Sequence, residues 1–417
     1  MITKTLSELS TKISSGLTPL RSNPAFWDNG TVPWLKTEQL GEKYIYETNE
    51  HISLLALEKT SIRVFPINSL SIAMYGEGKT RGNLSIIKKP MATNQACCNV
   101  ELDPEKAEYE YVYYFLKTQY EELRQLSSGV RKNLNSNDIK NYPIRLPLTL
   151  QKQREISYAL KVLDEKIALN NRINTELEAM AKTLYDYWFV QFDFPDSNGK
   201  PYKTSDGKMV YNAVLKREIP AGWLSGTLDD LGQIAGGSTP STSNTENFMV
   251  KGIPWITPND LSNNQGNKFI SRGALDVSEE GIKNASLKKY PAGTVLLSSR
   301  APIGYMAIAR NEVTTNQGFK SFIPSKGYSA EFIFYAVRNS LPVIVKNASG
   351  STFKEVSGSV LKKIEIALPE ISVVNKYTEK VMSIFSRQNK LELENQQLAT
   401  LRDWLLPLLM NGQVTVK

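Results

Sequence analysis

This chain of 417 residues holds only two cysteines and a single histidine. Cys97 and Cys98 are adjacent, so no disulfide framework can be built, and a reducing cytoplasmic setting is expected. His51 stands without any Cys/His cluster, which leaves almost no material for histidine triads or zinc sites. Long hydrophobic runs are missing too. The N-terminus has no apolar signal core, and the stretch 404–410 is short and broken by Pro407, so no membrane span is expected. Charge of one sign is only mildly in excess. The formal net charge of +8 tilts toward a polyanionic partner, but nucleic-acid binding needs those charges gathered on one face. With 41% hydrophobic and 22% charged residues, the composition is that of an ordinary globular chain with room for two or three domains.

What the chain does have is a long internal repeat. Val32-Pro33-Trp34-Leu35 returns as Ile253-Pro254-Trp255-Ile256, and Thr93-Asn94-Gln95 as Thr315-Asn316-Gln317. Ser128-Gly129 returns as Ser349-Gly350, Leu146-Pro147 as Leu368-Pro369, and Thr183-Leu184 as Thr400-Leu401. The markers keep their order at a spacing of about 220 residues. That is far beyond a solenoid period of roughly 20–50 residues. It is the size of a domain plus an extra element, so the chain is expected to be a covalent pseudo-dimer.

Each repeat has two parts. In 1–149 and 223–370, short β-prone runs such as 69–74, 84–87, 293–297 and 306–309 are punctuated by Gly, Pro and Asn, with helical stretches at 108–126 and 331–338. This predicts a mixed α/β (α+β), strand-rich domain. The second part, 150–191 and 371–417, is helical. Ile156, Leu160, Leu163, Ile167, Ile173, Leu177, Met180, Leu184 and Trp188 recur by threes and fours with one gap at Asn170. Val374, Tyr377, Val381, Ile384, Gln388, Leu391, Asn395, Leu398, Arg402 and Leu405 follow strict heptad spacing. Spans of about 35 residues exceed an ordinary globular helix, so an antiparallel, coiled-coil-like pair is expected, with Asn170, Gln388 and Asn395 fixing its register. Leu163, Ile167, Leu177, Leu184, Val381, Ile384, Leu391 and Leu398 are the expected spacer and docking positions. Between the repeats, 192–222 mixes Pro and Gly with polar residues, shows no periodicity, and reads as an extended connector.

Three motifs mimic catalysis. Ala73 followed by Gly78-Lys79-Thr80 fits a relaxed phosphate loop, but a strand pattern at 84–87 follows where a helix N-terminus is required. A basic hairpin tip carrying Lys79 and Arg81 is the better reading. Asp196 with Asp206 and Lys208 imitates a metal-dependent nuclease, yet the residues lie in the connector rather than on rigid strands. Asn23-Pro24-Ala25-Phe26 approximates an amino-methyltransferase tetrapeptide without the glycine-rich cofactor loop. No catalytic residue and no metal ligand is assigned.

The matched loops are stronger candidates. In the first repeat they carry Lys36, Thr37, Lys79, Arg81, Asn94, Gln95, Arg131, Lys132 and Asn133; in the second, Thr257, Asn259, Arg300, Asn316, Gln317 and Lys354. Arg suits guanine, Asn and Gln suit adenine, and Lys, Ser and Thr suit phosphates. The competing reading makes Asn-Gln after Thr a satisfied turn, and Trp34 and Trp255 core residues. The loops vary between copies while the frame recurs, as expected of two readers on one scaffold.

At this point the chain resembles a known family, the specificity subunits of type I DNA restriction-modification systems. The resemblance rests on Ile/Val-Pro-Trp near the start of each module, the Ser-Gly…Leu-Pro run ending it, and the long helix behind it. It also rests on the connector Phe194-Pro195-Asp196-x-Asn198-Gly199-Lys200-Pro201-Tyr202-Lys203 leading to Ile219-Pro220-x-Gly222-Trp223. It implies two target recognition domains, 1–149 and 223–370, each reading one half of an asymmetric, bipartite double-stranded DNA site. It implies central helices at 150–191 and 371–417 that dock two methyltransferase (modification) subunits, through which restriction/translocase subunits join. No cofactor is implied on this chain; S-adenosylmethionine, ATP and Mg²⁺ belong to the partners. Helices of about 35 residues span on the order of 50 Å, which suggests half-site centres roughly one DNA turn, about 34 Å, or more apart. A related system with a fused methylase-nuclease, a pseudo-dimeric DNA-modifying enzyme and a coiled-coil adaptor are the alternatives.

Overall fold

The computed structural model describes residues 1–76, 80–126, 133–300, 302–349 and 354–416. It divides into two compact units, Met1–Ile167 with Gln397–Lys417, and Ala168–Gln396.

In the first unit a five-stranded sheet runs in the order Ser10–Ser15, Cys97–Leu102, Leu70–Ala73, Leu84–Ile87, Tyr44–Ile45. All neighbours are antiparallel except the last pair. Every residue of the two strands Leu70–Ala73 and Leu84–Ile87 is buried, because both faces of the sheet are covered. One face carries the helix Tyr109–Thr118, whose Tyr111 and Val112 join Leu70, Ile72, Leu84 and Ile86. The other packs Leu35, Ile45, Phe65, Ala73, Ile87 and Met91 together. A three-stranded sheet follows, ordered Glu50–Ile52, Val32–Leu35, Ala92–Thr93, and a strand pair joins Ile2–Thr5 to Pro143–Leu146.

The second unit repeats this topology strand for strand. Its five-stranded order is Gly232–Gly236, Lys320–Pro324, Val295–Leu297, Met306–Ala309, Phe269–Ile270, again with only the last pair parallel. Leu275–Val277, Phe248–Ile256 and Thr314–Thr315 form the three-stranded sheet, and Leu224–Thr227 pairs with Glu365–Leu368. The registers coincide as well: Leu35 faces Thr93 as Ile256 faces Thr315, across parallel pairs. The repeat in sequence is therefore a repeat of fold.

Two long helices, Leu150–Tyr185 and Ile371–Met410, pack against each other within each unit. In the first, Ile156 and Leu160 share a core with Leu409 and Met410, and Arg402 reaches Asp164 at 3.0 Å. In the second, Asn170 Nδ2 donates to Asn395 Oδ1 at 2.9 Å, Gln388 Nε2 donates to the Asn174 carbonyl at 3.4 Å, and Tyr185 meets Tyr377. Numbers rising on one helix against falling numbers on the other make the pairing antiparallel. Asn170, Gln388 and Asn395 do lie at the seam. Met180, expected on the packed face, is instead 58% exposed, and Asn174, Ala181 and Tyr185 are buried in its stead. Leu163, Ile167, Leu177, Leu184, Ile384 and Leu398 are half-buried, while Val381 and Leu391 are buried.

The connector needs correcting. Segment 192–222 is not an extended tether: it folds onto the second unit. Phe194 lies between Tyr202 and Trp223, with ring centroids 4.7 and 5.3 Å away. Met209–Asn212 and Arg217–Pro220 form a hairpin, and Phe192, Phe194 and Ile219 enter the core. Asp193 accepts from the Thr204 amide and hydroxyl, each at 2.7 Å. Asp196, half of the nuclease-like pair, accepts from the Asn198 and Lys200 amides at 2.8 Å and so closes a turn. Widely spaced aromatics hold this segment, which is why neither helix nor strand periodicity reveals it.

Candidate nucleic-acid interface

Parallel pairing decides where the matched loops go. Leu35 and Thr93 end neighbouring parallel strands, so the segments that follow, 36–39 and 94–96, leave the sheet at the same edge. The Asn94 amide donates to the Leu35 carbonyl at 2.9 Å. Met74 then donates to Ala96 at 2.8 Å and Leu134 to Met74 at 3.1 Å, which adds the segments that begin at Met74 and at Asn133 to that edge. The second unit builds the same staircase: Asn316 to Ile256 at 3.1 Å, Ser299 to Gly318 at 2.7 Å and Val356 to Ser299 at 2.9 Å. Four loops of each repeat thus converge at one end of each domain. Lys36, Thr37, Asn94, Gln95, Arg81 and Asn133 lie on this edge in the first unit. Thr257, Asn259, Arg300, Asn316, Gln317 and Lys354 lie on it in the second. Lys79, Arg131 and Lys132 fall outside the described residues, as do Ser128-Gly129 and Gly350.

A fifth loop, absent from the expectation, joins each edge. Gly16 sits so close to the Thr93-Asn94 turn that a Cβ would lie 2.1 Å from the Thr93 carbonyl oxygen; Gly237 repeats this with Thr315 at 2.1 Å. Only glycine permits that approach. Beyond it, the Leu17 and Ser238 carbonyls accept from the indoles of Trp34 and Trp255, both at 3.1 Å. The two tryptophans are buried framework. Thr18 and Thr239 donate to the side-chain oxygens of Gln95 and Gln317. The signal was present in sequence, in the shared Gly-x-Thr-Pro at 16–19 and 237–240.

On this common frame the chemistry differs. Lys36 is held between Glu38 and Glu50, both at 2.7 Å, and its hydrogen bonds to those carboxylates raise its pKa. Arg21 binds Glu50 in turn, lowers its pKa, and lies over the Trp27 ring at 3.7 Å. The second unit has neither cation. There the Thr257 hydroxyl oxygen accepts from the Asp260 amide at 3.4 Å and the Asp260 carboxylate accepts from the Thr257 amide at 2.8 Å, a capping box on the helix Pro258–Asn263 that leaves Asn259 exposed. Arg300 pairs with Glu355 at 3.0 Å beside the exposed Lys354. Asn94 and Asn316 accept from the amides two residues on, at 3.2 and 2.9 Å. Their oxygens are spent on the turn, in line with the competing reading.

The sequence reading also missed what fastens each domain to the helices. Lys43, just before the strand Tyr44–Ile45, donates to Tyr114 at 2.6 Å and lies 3.5 Å from Asp164 on the first long helix. Lys268, just before Phe269–Ile270, donates to Tyr335 at 2.9 Å and lies 2.6 Å from Glu178 on that helix. Burial pushes Lys268 down to about 8 from its ordinary 10.5. Its contribution to stability is therefore greatest above pH 10.5 and is lost as pH falls through about 8, because unfolding takes up a proton between those values. Subtracting the unfolding free energies of Lys268→Met from wild type should expose a rise from pH 8 to 10. A flat difference would place the lysine's pKa at its ordinary value.

Among the described residues no group of His, Cys, Asp or Glu is arranged to hold a metal ion, and no helix is long and apolar enough to cross a membrane. Cys97 and Cys98 are free, buried thiols, with burial pushing them up to about 12 and about 11.

The family model described as "Type I restriction modification DNA specificity domain" matches residues 1–179 and 220–402. The MjaIX specificity subunit of Methanocaldococcus jannaschii is 41% identical over 197 residues, which is 45% of each chain. The HindI specificity subunit of Haemophilus influenzae is 28% identical over 343 residues, 70% of this chain and 73% of that one. In fold, the chain is similar to the crystal structure of a type I restriction-modification S subunit from M. genitalium, with TM-score 0.60 and 15% identity over 98% of this chain and 95% of that one. Specificity subunits of this family carry no catalytic cofactor. With matched family segments covering most of its length and two copies of one domain behind them, the chain belongs to the type I restriction modification DNA specificity domain family, as a recognition subunit and not a catalytic one.

Proposed function

We propose that the chain selects an asymmetric, bipartite sequence in double-stranded DNA, with 1–149 reading one part and 223–370 the other. The helical parts 150–191 and 371–417 dock two modification subunits, and restriction/translocase subunits join through those. S-adenosylmethionine, ATP and Mg²⁺ then reside on the partners, and the assembly works in the cytoplasm. Segment 192–222 links the two readers. One observation carries the reading: identical strand order and loop placement in both units, with Lys36, Arg21 and Glu50 at one edge and Thr257, Asp260 and Asn259 at the other. Identical loops would suit a palindrome; loops that differ on one frame suit two unlike half-sites.

The test is to express the chain with its modification subunits in a methylation-free host and sequence the methylome. A split motif is expected, and replacing 1–149 by the corresponding domain of a relative should change only one half of it. DNA binding by the assembly should weaken steeply with salt, as phosphate contacts release counterions. Methylation scattered without a motif would overturn the proposal.

A further inference from the structure

Within this reading, the two domains should differ where they touch bases and agree where they touch the backbone, since every half-site offers the same phosphates. The Thr–Gln pairs are where they agree. Gln95 and Gln317 are both exposed at the loop edge, each following an asparagine whose oxygen closes the turn. In each unit the glutamine oxygen is taken by a threonine hydroxyl, from Thr18 or Thr239. Each threonine lies in a loop fixed by a glycine pressed against the turn and a carbonyl bonded to the core tryptophan. The threonine takes one of the oxygen's two lone pairs, while both N–H donors of the amide stay free and favour a partner that only accepts. A phosphate presents acceptors only, whereas an adenine edge asks the same amide to accept as well as donate.

We infer that Gln95 and Gln317 are phosphate clamps that seat each domain on the DNA backbone, and that they do not read adenine. Selectivity then falls on the neighbours that differ between copies, Lys36 at one edge and Asn259 and Lys354 at the other. The inference rests on the proposed function, and its test keeps the two apart.

The assembled complex is titrated onto its methylome-defined target and onto versions with one half-site scrambled. Gln95→Ala and Gln317→Ala should each weaken binding by about tenfold, the worth of an exposed hydrogen bond to a charged group, and by the same factor on every duplex. Gln95→Glu should weaken it further, because a carboxylate repels the phosphate. Lys36→Ala should instead change the preference for one half-site alone. A Gln95→Ala complex that loses discrimination at one base pair would make the residue a reader and overturn the inference. So would unchanged affinity in a variant that unfolds like wild type, since the pair would then only brace the loop. Wild-type complex that binds all duplexes alike would instead sink the proposed function itself.

Discussion

Glu392→Leu should cost the second unit about 3–5 kcal/mol of stability, the penalty for stranding one partner of a buried ion pair. Glu392 is 2% exposed on the second long helix. Its oxygens accept from the backbone amides of Lys268 and Phe269 at 2.8 and 3.1 Å and from the Arg310 guanidinium at 2.6 Å. Burial pushes its pKa up, while those three donors oppose the shift. Removing the carboxylate leaves two amides of a sheet edge without an acceptor, and it leaves Arg310 charged in a site that has lost its counterion. Asn389 still binds the Arg310 Nε, but it is neutral. The double variant Glu392→Leu/Arg310→Met should recover part of the loss, because an apolar pair of similar volume strands no charge. Urea unfolding of the three chains measures this. A single variant with the wild-type midpoint would show that the carboxylate does not hold the strand Phe269–Ile270 to the helix. That strand ends the five-stranded sheet, so the same carboxylate ties the recognition fold to the helix that carries it.

Glu392 also shows where the sequence stops being legible. The repeat was readable because its markers are contacts that only certain residues can make. Trp34 and Trp255 fill one core position and bond one carbonyl, and the Thr-Asn-Gln turn receives one glycine. The helices were readable because their apolar residues recur by threes and fours. Their exact seam was not. Strict heptads place Ile384 at the interface, but a helix with 3.6 residues per turn drifts from a 3.5 repeat, and Phe385 and Glu392 are more deeply buried. A glutamate in such a window reads as solvated surface, since nothing local says that two strand-edge amides and an arginine from elsewhere in the chain will meet it. Lys43 and Lys268 were hidden for the same reason. At the loop edge, the described candidates fall in loops that share one edge of the fold, but sequence could not tell an asparagine closing its own turn from one facing outward.

The connector gives the sharpest contrast between the two kinds of reading, and Phe194→Ala tests it. A flexible tether predicts no stability change for this substitution, whereas the folded segment predicts a loss of about 3–5 kcal/mol, as for other buried aromatics truncated to alanine. Phe194 is stacked between Tyr202 and Trp223, and Trp223 also contacts Phe189 and Phe192. Phe189 in turn packs edge-on against Phe332 and Tyr377, which belong to the helices Ala330–Lys346 and Ile371–Met410. The aromatic chain therefore runs from the connector through the end of the first long helix into the second domain's core. Loss of Phe194 should loosen the hairpin Met209–Asn212/Arg217–Pro220 first, then lower the unfolding midpoint of the second unit while leaving the first unit's transition in place. Hydrogen exchange resolved by segment reads both effects. Wild-type protection of the hairpin in Phe194→Ala would mean that the backbone bonds of the segment, such as those closed by Asp193 and Asp196, hold it without the ring. The contrast has a functional side. On the proposed function, changes to the length of a connector that folds as part of the second unit should impair its folding before they change the DNA spacing that is tolerated.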